Sequence, residues 1–380
     1  MRLSFLQQLF DRDGPWATVY FHAAHEDEAG AKRHELSVGE ACRTLEEEGA
    51  DAATVRAVRE TLMEASPAED PAGRVYFATD GEVVLSHALS RPPERPISVW
   101  APLPRLTPLL ELSGRDPLCL VAYIDRTGAD FELRSEAVSH HAGQVAGRRH
   151  PVHRTASDQL SERHFQLKVE NTWQHNAGAV AEALASACEE SGADLVVLVG
   201  DARERRAVHE KLPDPVRRVA VETAHGGRAP GSSSAALEED IAEARQQYVH
   251  RRAQEALDRF RTGRSGGQSP VGAVEGVPAL VEAAREHRID TLLIRPDGPD
   301  LASETWIGGR PDQLAVRRTN ARTLGESDPW PARADDALLR SAATTGADVM
   351  VVAPDEADDH HLPTGGLGAL LRWTYEPSAV

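Results

Sequence analysis

Three times along this chain an alanine-rich helical segment leads to an acidic residue and then directly to a short apolar run. The apolar runs are residues 195–199, 291–294 and 349–352, preceded by Asp194, Asp290 and Asp348. A run without a polar face is typical of a strand in a parallel sheet that helices cover on both sides. This repeated unit therefore predicts layered α/β folds in the middle and last parts of the chain, with the last two runs in one domain.

The length of 380 residues exceeds what one hydrophobic core usually supports, so more than one domain is expected. Prolines between Arg91 and Pro108 interrupt regular structure, which places a first boundary near Gly114. A Gly-, Ser- and Pro-rich stretch at 226–234 precedes a long helix, 235–261, that is predicted to bridge the next two domains. The sequence therefore predicts an α/β fold of three domains, at residues 1–113, 114–262 and 263–380.

The first predicted domain carries strong local signals. Apolar and aromatic residues at 16–22 predict a strand, and charged amphipathic patterns predict helices at 27–48 and 52–64. Residues 74–85 form two short apolar runs around Asp80-Gly81, which is the signal of a β-hairpin. A strand, two helices and a hairpin together indicate a further α/β layer.

In the middle domain, the predicted order is strand 118–124, return strand 129–134, and a long helix at 161–191 with one apolar face. Gly192 fits a left-handed cap at the end of that helix. A basic, histidine-rich segment lies between the return strand and the helix. From 148 to 164 its four arginines outnumber Asp158 and Glu162, a net charge of +2 in a chain of net charge −18.

This basic loop is the strongest candidate for a functional site. Guanidinium groups form forked hydrogen bonds to phosphate and stack on bases, and histidine does both more weakly. A basic loop before a long helix also gains the positive end of the helix dipole. Two interpretations stay open, an exposed loop without chemistry and a loop that contacts structured RNA. For the second, the predicted RNA- or ribosome-binding residues are Arg148, Arg149, His150, His153, Arg154, Gln159, Arg163 and His164.

Charge and cysteine content exclude several classes of protein. The acidic balance disfavours broad adhesion to nucleic acid, so DNA is not expected as a partner and any RNA contact should be local. Cys42, Cys119 and Cys188 are odd in number and far apart, which indicates buried free thiols in a reducing compartment. No run has the length and apolarity of a membrane span or a secretory leader, so a cytoplasmic location is expected.

Four short motifs have simpler explanations than chemistry. Gly266-Gly267-Gln268 lies in a Gly- and Ser-rich connector after a helix and is interpreted as a linker. Asp358-Asp359-His360-His361 lacks further spaced ligands, so no metal and no cofactor is predicted. Gly365-Gly366-Leu367-Gly368 is predicted as a turn into a final strand. The Ser, Asp and His residues around the basic loop, His140 and His141 among them, have no nucleophile elbow, so no catalytic residue is assigned.

Several segments together resemble a known family. They are GPWATVYF at 14–21, AYIDRTGAD at 122–130, HPVHR at 150–154 and GGLGALLR at 365–372. These segments resemble actinobacterial members of the bacterial and archaeal release-factor-like family, whose relatives include archaeal-eukaryotic release factor, Pelota and the hibernation factor Balon. The resemblance covers nearly the full length of the chain.

The resemblance implies an N-terminal α/β domain, a ribonuclease-H-like middle domain and a C-terminal α/β domain related to kink-turn RNA-binding ribosomal proteins. Release factors of this lineage carry Gly-Gly-Gln in the middle-domain loop just before the long helix. The corresponding stretch here, 148–164, contains Gln159 but no such tripeptide. The resemblance then implies Pelota- or Balon-like occupancy of the vacant A site of the ribosome, with elongation factor Tu as a delivery partner as for Balon.

Three functions from different classes stay open. We favour a non-catalytic ribosome-binding factor that acts in hibernation or stress. The second is an enzyme that hydrolyses peptidyl-tRNA on stalled ribosomes, using loop residues such as Gln159 or His153. The third is an α/β protein that binds a small ligand, which would raise its melting temperature in a saturable manner.

Overall fold

The computed structural model describes residues 3–12, 14–22, 28–65, 72–113, 117–134, 139–146, 159–228, 235–264, 272–352 and 362–373. The chain divides into two compact units. The first unit combines Met1–Arg115 with Arg252–Val380, and the second unit is Asp116–Arg251. The N- and C-terminal parts of the sequence thus pack into one unit, and the boundaries predicted at 113 and 262 stay predictions.

The N-terminal part of the first unit is built on a four-stranded antiparallel sheet with the order β3-β2-β1-β4. Its elements are a 3-10 turn Ser4–Leu6, α1 Gln7–Phe10, β1 Trp16–Phe21, α2 Glu28–Glu47, α3 Ala52–Met63, β2 Arg74–Thr79, β3 Glu82–Ala88, β4 Ile97–Ala101 and α4 Thr107–Leu112. The predicted strand, helix pair and hairpin are confirmed. Asp80 and Gly81 both have positive φ, as a tight hairpin turn requires.

The proline-rich stretch holds more regular structure than predicted. Strand β4 fits between Pro96 and Pro102, so neither proline removes one of its ladder hydrogen bonds. Pro108 lies in the first turn of α4, where a backbone N–H has no partner inside the helix. These three prolines flank or begin regular elements, so the prediction that they interrupt regular structure was wrong at β4 and α4.

The C-terminal part of the first unit contains two sheets, with orders β10-β16-β11-β15 and β13-β12-β14. Its elements are β10 Gly272–Glu275, α9 Val277–Arg285, β11 Ile289–Ile294, a 3-10 turn Pro299–Ala302, β12 Glu304–Ile307, β13 Leu314–Ala315, α10 Arg318–Thr323, β14 Trp330–Arg333, α11 Ala334–Thr345, β15 Asp348–Val351 and β16 Leu367–Leu371. Strands β11 and β15 pair in parallel, which confirms that the last two apolar runs share one domain. The predicted turn at Gly365-Gly366 into a final strand is confirmed as well.

One hydrophobic core joins the N- and C-terminal parts of the first unit. Trp16, Tyr20 and Phe77 from the N-terminal sheet lie in the same buried cluster as Leu338 and Leu339 of α11. Since these side chains share one core, loosening either part exposes apolar surface of the other.

Two adjacent carboxylates are buried where α11 begins, and they also join the two parts. Asp335 accepts hydrogen bonds from Thr107 Oγ1 at 2.8 Å and from Arg333 Nη2 at 2.9 Å. Asp336 accepts from Arg105 Nε at 2.9 Å. Burial, and next the charge of Asp335, raise the pKa of Asp336 to about 7, although Arg105 and Arg333 act in the opposite direction.

This raised pKa predicts a stability that falls as the pH rises towards neutrality. Between the ordinary pKa of 3.8 and the folded value of about 7, the folded state keeps a proton on Asp336 that the unfolded state has lost. The free energy of unfolding should therefore fall across that window, by about 1.4 kcal/mol per pH unit at most, and level off above it.

The substitution Asp336→Asn tests this pH dependence, because asparagine keeps an oxygen for Arg105 Nε but does not titrate. Thermal melting of both proteins from pH 4.5 to 8 should show a downward slope in the wild type that the variant lacks. Tyr20 also lies beside this cluster, but burial raises its pKa well above the tested range. Equal slopes in the two proteins would contradict the assignment.

The second unit contains a five-stranded sheet with the order β7-β6-β5-β8-β9, here called the middle sheet. Its elements are β5 Cys119–Asp125, β6 Gly128–Arg134, β7 Ser139–Ala146, α5 Gln159–Ser191, β8 Leu195–Gly200, α6 Ala202–His209, α7 Asp214–Arg217, β9 Ala220–Glu222 and the first part of α8 Ala235–Arg264. Strands β5, β8 and β9 are parallel, whereas β5, β6 and β7 form an antiparallel meander. Gly192 has a φ of 64°, which confirms the predicted left-handed cap of α5.

Helices cover both faces of the middle sheet, as the apolar run of β8 predicts. Val180 and Leu184 of α5 pack in one cluster with Leu198, and Leu237 of α8 packs in another with Val197.

The three cysteines are free and buried, as predicted. The α/β fold class is thereby confirmed, and the likeness of individual domains to ribonuclease H and to kink-turn proteins stays a prediction. Across the described ranges, no helix combines the length and apolarity needed to cross a membrane.

Candidate functional site

The basic loop leaves the middle sheet at the end where its parallel strands finish. Strands β5, β8 and β9 end at Asp125, Gly200 and Glu222, and this end is called the carboxyl edge below. Ala146, the last residue of β7, pairs with Gly128 directly after the β5–β6 turn, so β7 finishes at the same edge. Ligands of open α/β sheets characteristically bind outside the carboxyl ends of parallel strands.

Helix α5 is about twice as long as the sheet that it covers. Its 33 residues extend about 50 Å at 1.5 Å per residue, whereas the seven residues of β5 span about 23 Å. The helix finishes at the opposite end of the sheet, where the backbone N–H of Asp194 donates to the Leu118 carbonyl at 2.8 Å. At the carboxyl edge, Asn176 Nδ2 donates to the carbonyl of Arg126 at 3.1 Å.

The packing of Trp173 divides α5 into two parts. From Trp173 onward the helix covers the middle sheet, because Trp173 and Ala177 lie in the same buried cluster as Phe131. The backbone of the 14 residues before Trp173, here called the arm, continues the helix for about 21 Å towards its N-terminus. The N-terminus of α5 is therefore displaced outward from the carboxyl edge of its own unit. The segment 147–158 therefore joins Ala146 of the middle sheet to the N-terminus of this arm.

The predicted binding residues fall on both sides of the start of α5. Arg148, Arg149, His150, His153 and Arg154 lie outside the described residues, as does the whole segment 147–158. The backbone of Gln159, Arg163 and His164 lies in the first turns of α5. The assignment of all eight residues to RNA binding stays a prediction. His140 and His141, grouped with the loop from the sequence, belong instead to β7, where they pair with Leu133 and Glu132.

An arginine clamp fixes the β5–β6 turn beside the base of the loop. Arg228 donates to both oxygens of Asp130, from Nε at 2.7 Å and from Nη2 at 3.0 Å, and its Nη1 donates to Asp125 Oδ1 at 2.9 Å. The same Nη1 of Arg228 also donates a hydrogen bond to the Thr127 hydroxyl at 3.2 Å. A guanidinium that bonds two carboxylates in this forked manner is held rigidly, so the turn next to Ala146 is fixed.

The clamp also sets the ionisation of its members. Burial acts to raise the pKa of Asp125, but hydrogen bonds from Thr127 and Arg228 outweigh it and hold that pKa below its ordinary value. The hydrogen bond with Asp130 raises the pKa of Arg228, although partial burial opposes it. Asp125 and Arg228 are therefore both charged at neutral pH and are paired with each other.

We expect Arg228→Met to loosen the base of the loop without emptying the space that the arginine stem fills. The change leaves Asp125 and Asp130 facing each other without a cation, and both are partly exposed, so the expected loss is about 1–2 kcal/mol. Urea unfolding should show this loss, and NMR titration should show a higher pKa for Asp125. Adding Asp130→Asn removes the repulsion and should restore part of the stability; no recovery would contradict the clamp.

Two further pairs of charged or titratable side chains lie at this edge. Glu204 pairs with Arg126 at 2.9 Å, and His209 Nδ1 bonds Glu222 at 2.8 Å. At the opposite end of the sheet, where β5 begins, burial raises the pKa of the Cys119 thiol to about 12, which keeps it protonated and a poor nucleophile. Among the described residues, no group of three or more His, Cys, Asp or Glu side chains could hold a metal ion. The tripeptide Gly266-Gly267-Gln268 and the segment 358–361 lie outside them.

Sequence reasoning missed the residues that anchor the loop. Arg228 follows Gly226-Gly227, in a stretch interpreted as part of a connector, and its partners lie about a hundred positions away. Asn176 lies on the apolar side of α5 and carries no local signal for its bond to Arg126. The only local signal was the Asp125–Gly128 turn, where Asp125 also accepts from the backbone N–H of Thr127 at 2.7 Å.

The segment that carries these features matches a known family. Residues 118–266 match the model of the bacterial archaeo-eukaryotic release factor family 2. The matched range includes the middle sheet, both long helices and the basic loop, and it confirms the resemblance to release-factor-like proteins that the sequence indicated.

Individual proteins are also similar over longer ranges. The uncharacterized protein Rv2629 of Mycobacterium tuberculosis is 28% identical over 383 residues, covering 98% of this chain and 97% of that protein. The crystal structure of the archaeal translation termination factor aRF1 aligns with 97% of this chain and 96% of its own, at 16% identity and a TM-score of 0.24. Dom34 of S. cerevisiae, a translation termination-like factor, aligns over 80% of each chain at 11% identity and a TM-score of 0.41. Both TM-scores are low, so the family match is more informative than these structural alignments.

Proposed function

We propose that this chain is a non-catalytic ribosome-binding factor, and that its basic loop enters a vacant A site during hibernation or stress. The observation that carries the proposal is the match of residues 118–266 to a release factor family, because that range contains the loop and the arm formed by α5. The stretch 148–164 supplies a net charge of +2 in a chain of net charge −18. Such a local positive charge is suited to binding the phosphates of ribosomal RNA.

The length of α5 supports a loop that works at a distance. The helix extends about 21 Å from Trp173 to its N-terminus, to which the loop is joined, while the Arg228 clamp and Asn176 hold the base of the arm to the sheet. A rigid base and an extended arm allow a small basic segment to reach into a narrow RNA-lined site. The acidic body can then stay outside, where its repulsion from phosphate is weaker.

The absence of the release-factor tripeptide from this loop supports occupancy without hydrolysis. Peptide release in this lineage is implied to need a glutamine presented by Gly-Gly-Gln before the long helix, and the loop contains Gln159 without the glycines. Gly266-Gly267-Gln268 comes after α8 in the sequence and is therefore not part of the loop that precedes α5. We propose elongation factor Tu as the delivery partner, on the resemblance to Balon alone.

Co-sedimentation with purified vacant ribosomes tests the proposal. The full chain should pellet with ribosomes at low salt and lose affinity steeply as salt rises, as expected for contacts to phosphate. It should release no peptide from ribosomes that carry peptidyl-tRNA. Absence from the ribosomal pellet at low salt would refute the proposal. Peptide release that Gln159→Ala or His153→Ala abolishes would instead establish the peptidyl-tRNA hydrolase alternative.

A further inference from the structure

A second cluster of arginines lies in the first unit, on the segment between β12 and β14. From Gln313 to Gly325 the sequence has three arginines and no carboxylate, although acidic residues outnumber basic ones by 60 to 42 in the whole chain. The three arginines, Arg317, Arg318 and Arg322, are all exposed. Basic residues therefore outnumber acidic residues in this segment, whereas acidic residues outnumber basic ones in the whole chain.

Short helix α10 presents these side chains outward. Its single buried residue is Ala321, which lies against the hydrophobic interior, and its other five residues are exposed. Arg318 and Arg322 are four positions apart in the helix, so their side chains lie on the same face, about 5–6 Å from each other at Cβ. Arg317 directly precedes the helix.

An aromatic ring and a carboxylate hold one of the three arginines in place. The Arg318 guanidinium lies over the ring of Trp306, 5.4 Å from its centroid, and its Nη2 donates to Asp328 at 3.0 Å. The guanidinium groups of Arg317 and Arg322 make no hydrogen bond or ion pair within the described part of the chain. By contrast, Arg252, Arg259 and Arg264 in the same unit each pair with a carboxylate.

We propose that Arg317, Arg318 and Arg322 form an RNA-binding surface that contacts the phosphate backbone. Charge complementarity supports this partner, because two guanidinium groups without a partner among the described residues lie beside a third that is already oriented, and phosphate accepts forked hydrogen bonds from such groups. Since Arg318 covers Trp306, no aromatic face of that residue is offered for base stacking on this side. The surface should therefore bind RNA with little sequence preference. The choice of RNA rests on the proposed function.

The test compares two double variants in ribosome co-sedimentation over a range of salt concentrations. Arg317→Glu/Arg322→Glu reverses the two uncommitted charges and leaves Arg318 in place. Arg56→Glu/Arg59→Glu makes the same change in charge on α3, where both arginines are also exposed but Glu60 lies beside them. Thermal melting confirms that both variants fold, as expected for exposed side chains.

We expect the α10 variant to bind ribosomes at least tenfold more weakly and to lower the slope of log affinity against log salt by about two. The α3 variant should match the wild type. Equal binding by all three proteins would overturn the α10 surface and leave the proposed function standing. Equal losses in both variants would also overturn it, because the effect would then follow net charge. A wild type that does not pellet at all would refute the proposed function and, with it, this surface.

Discussion

Arg148→Glu/Arg149→Glu/Arg154→Glu should reduce the affinity for vacant ribosomes by a factor of about 100 or more at moderate salt. The change removes three cations from the loop and places three anions there, so up to three phosphate contacts are replaced by repulsion. The slope of log affinity against log salt should fall by about three, because fewer counterions are released on binding. Titration of labelled protein against ribosomes at several salt concentrations measures both quantities.

A control of equal charge separates the loop from the acidity of the whole chain. Arg43→Glu/Arg56→Glu/Arg59→Glu makes the same change on α2 and α3, where all three arginines are exposed. This control should bind within about threefold of the wild type, since general repulsion is screened beyond a Debye length of about 8–10 Å. A loop variant that binds like the wild type would mean that another surface carries the contact.

Phe260→Ala should cost about 3–5 kcal/mol of the free energy of unfolding of the first unit. Phe260 on α8 is fully buried and packs with Leu293 of β11 and Leu370 of β16. Gly368 provides the space for its ring, because a Cβ there would lie 2.8 Å from two ring carbons. The ring also lies beneath the Arg264 guanidinium, at 5.5 Å from its centroid. Alanine would leave a cavity at the point where α8 joins the C-terminal sheet.

Urea unfolding followed by tryptophan fluorescence measures this loss. Leu36→Ala is a suitable control, because Leu36 is 64% exposed and its truncation should change stability by less than about 0.5 kcal/mol. A Phe260→Ala loss as small as that of Leu36→Ala would contradict the packing described for α8.

Strands with a continuous apolar run could be predicted from the sequence, whereas a strand without such a run could not. The runs that became β8, β11 and β15 contribute to buried clusters on both of their faces, and such runs are visible locally. Strand β7 has the sequence SHHAGQVA, with neither an apolar run nor a regular alternation. It is a strand because β6 offers a free edge with which it can pair, and a register shift between Phe131 and Glu132 leaves Ala142 as the extra residue. Pairing of that kind is a tertiary effect.

Some features of the candidate site could likewise be predicted from the sequence, and others could not. The basic loop, the Asp125–Gly128 turn and the long helix could be predicted, because charge, turn residues and helical periodicity are local properties. The clamp could not, since Arg228 and Asp130 are 98 positions apart and only the fold brings them together. The joint core of the N- and C-terminal parts, with Arg105 bonded to Asp336 across 231 positions, is invisible to local patterns for the same reason.

Cryo-electron microscopy of ribosomes from starved cells that contain the tagged chain tests whether the chain occupies the A site. We expect density for the second unit in the A site of ribosomes without A-site tRNA, with the start of α5 directed towards the peptidyl transferase centre. Any tRNA in the neighbouring P site should still carry its ester-linked group. Density for the chain at a different ribosomal site, or its absence from every class of ribosomal particle, would contradict the account.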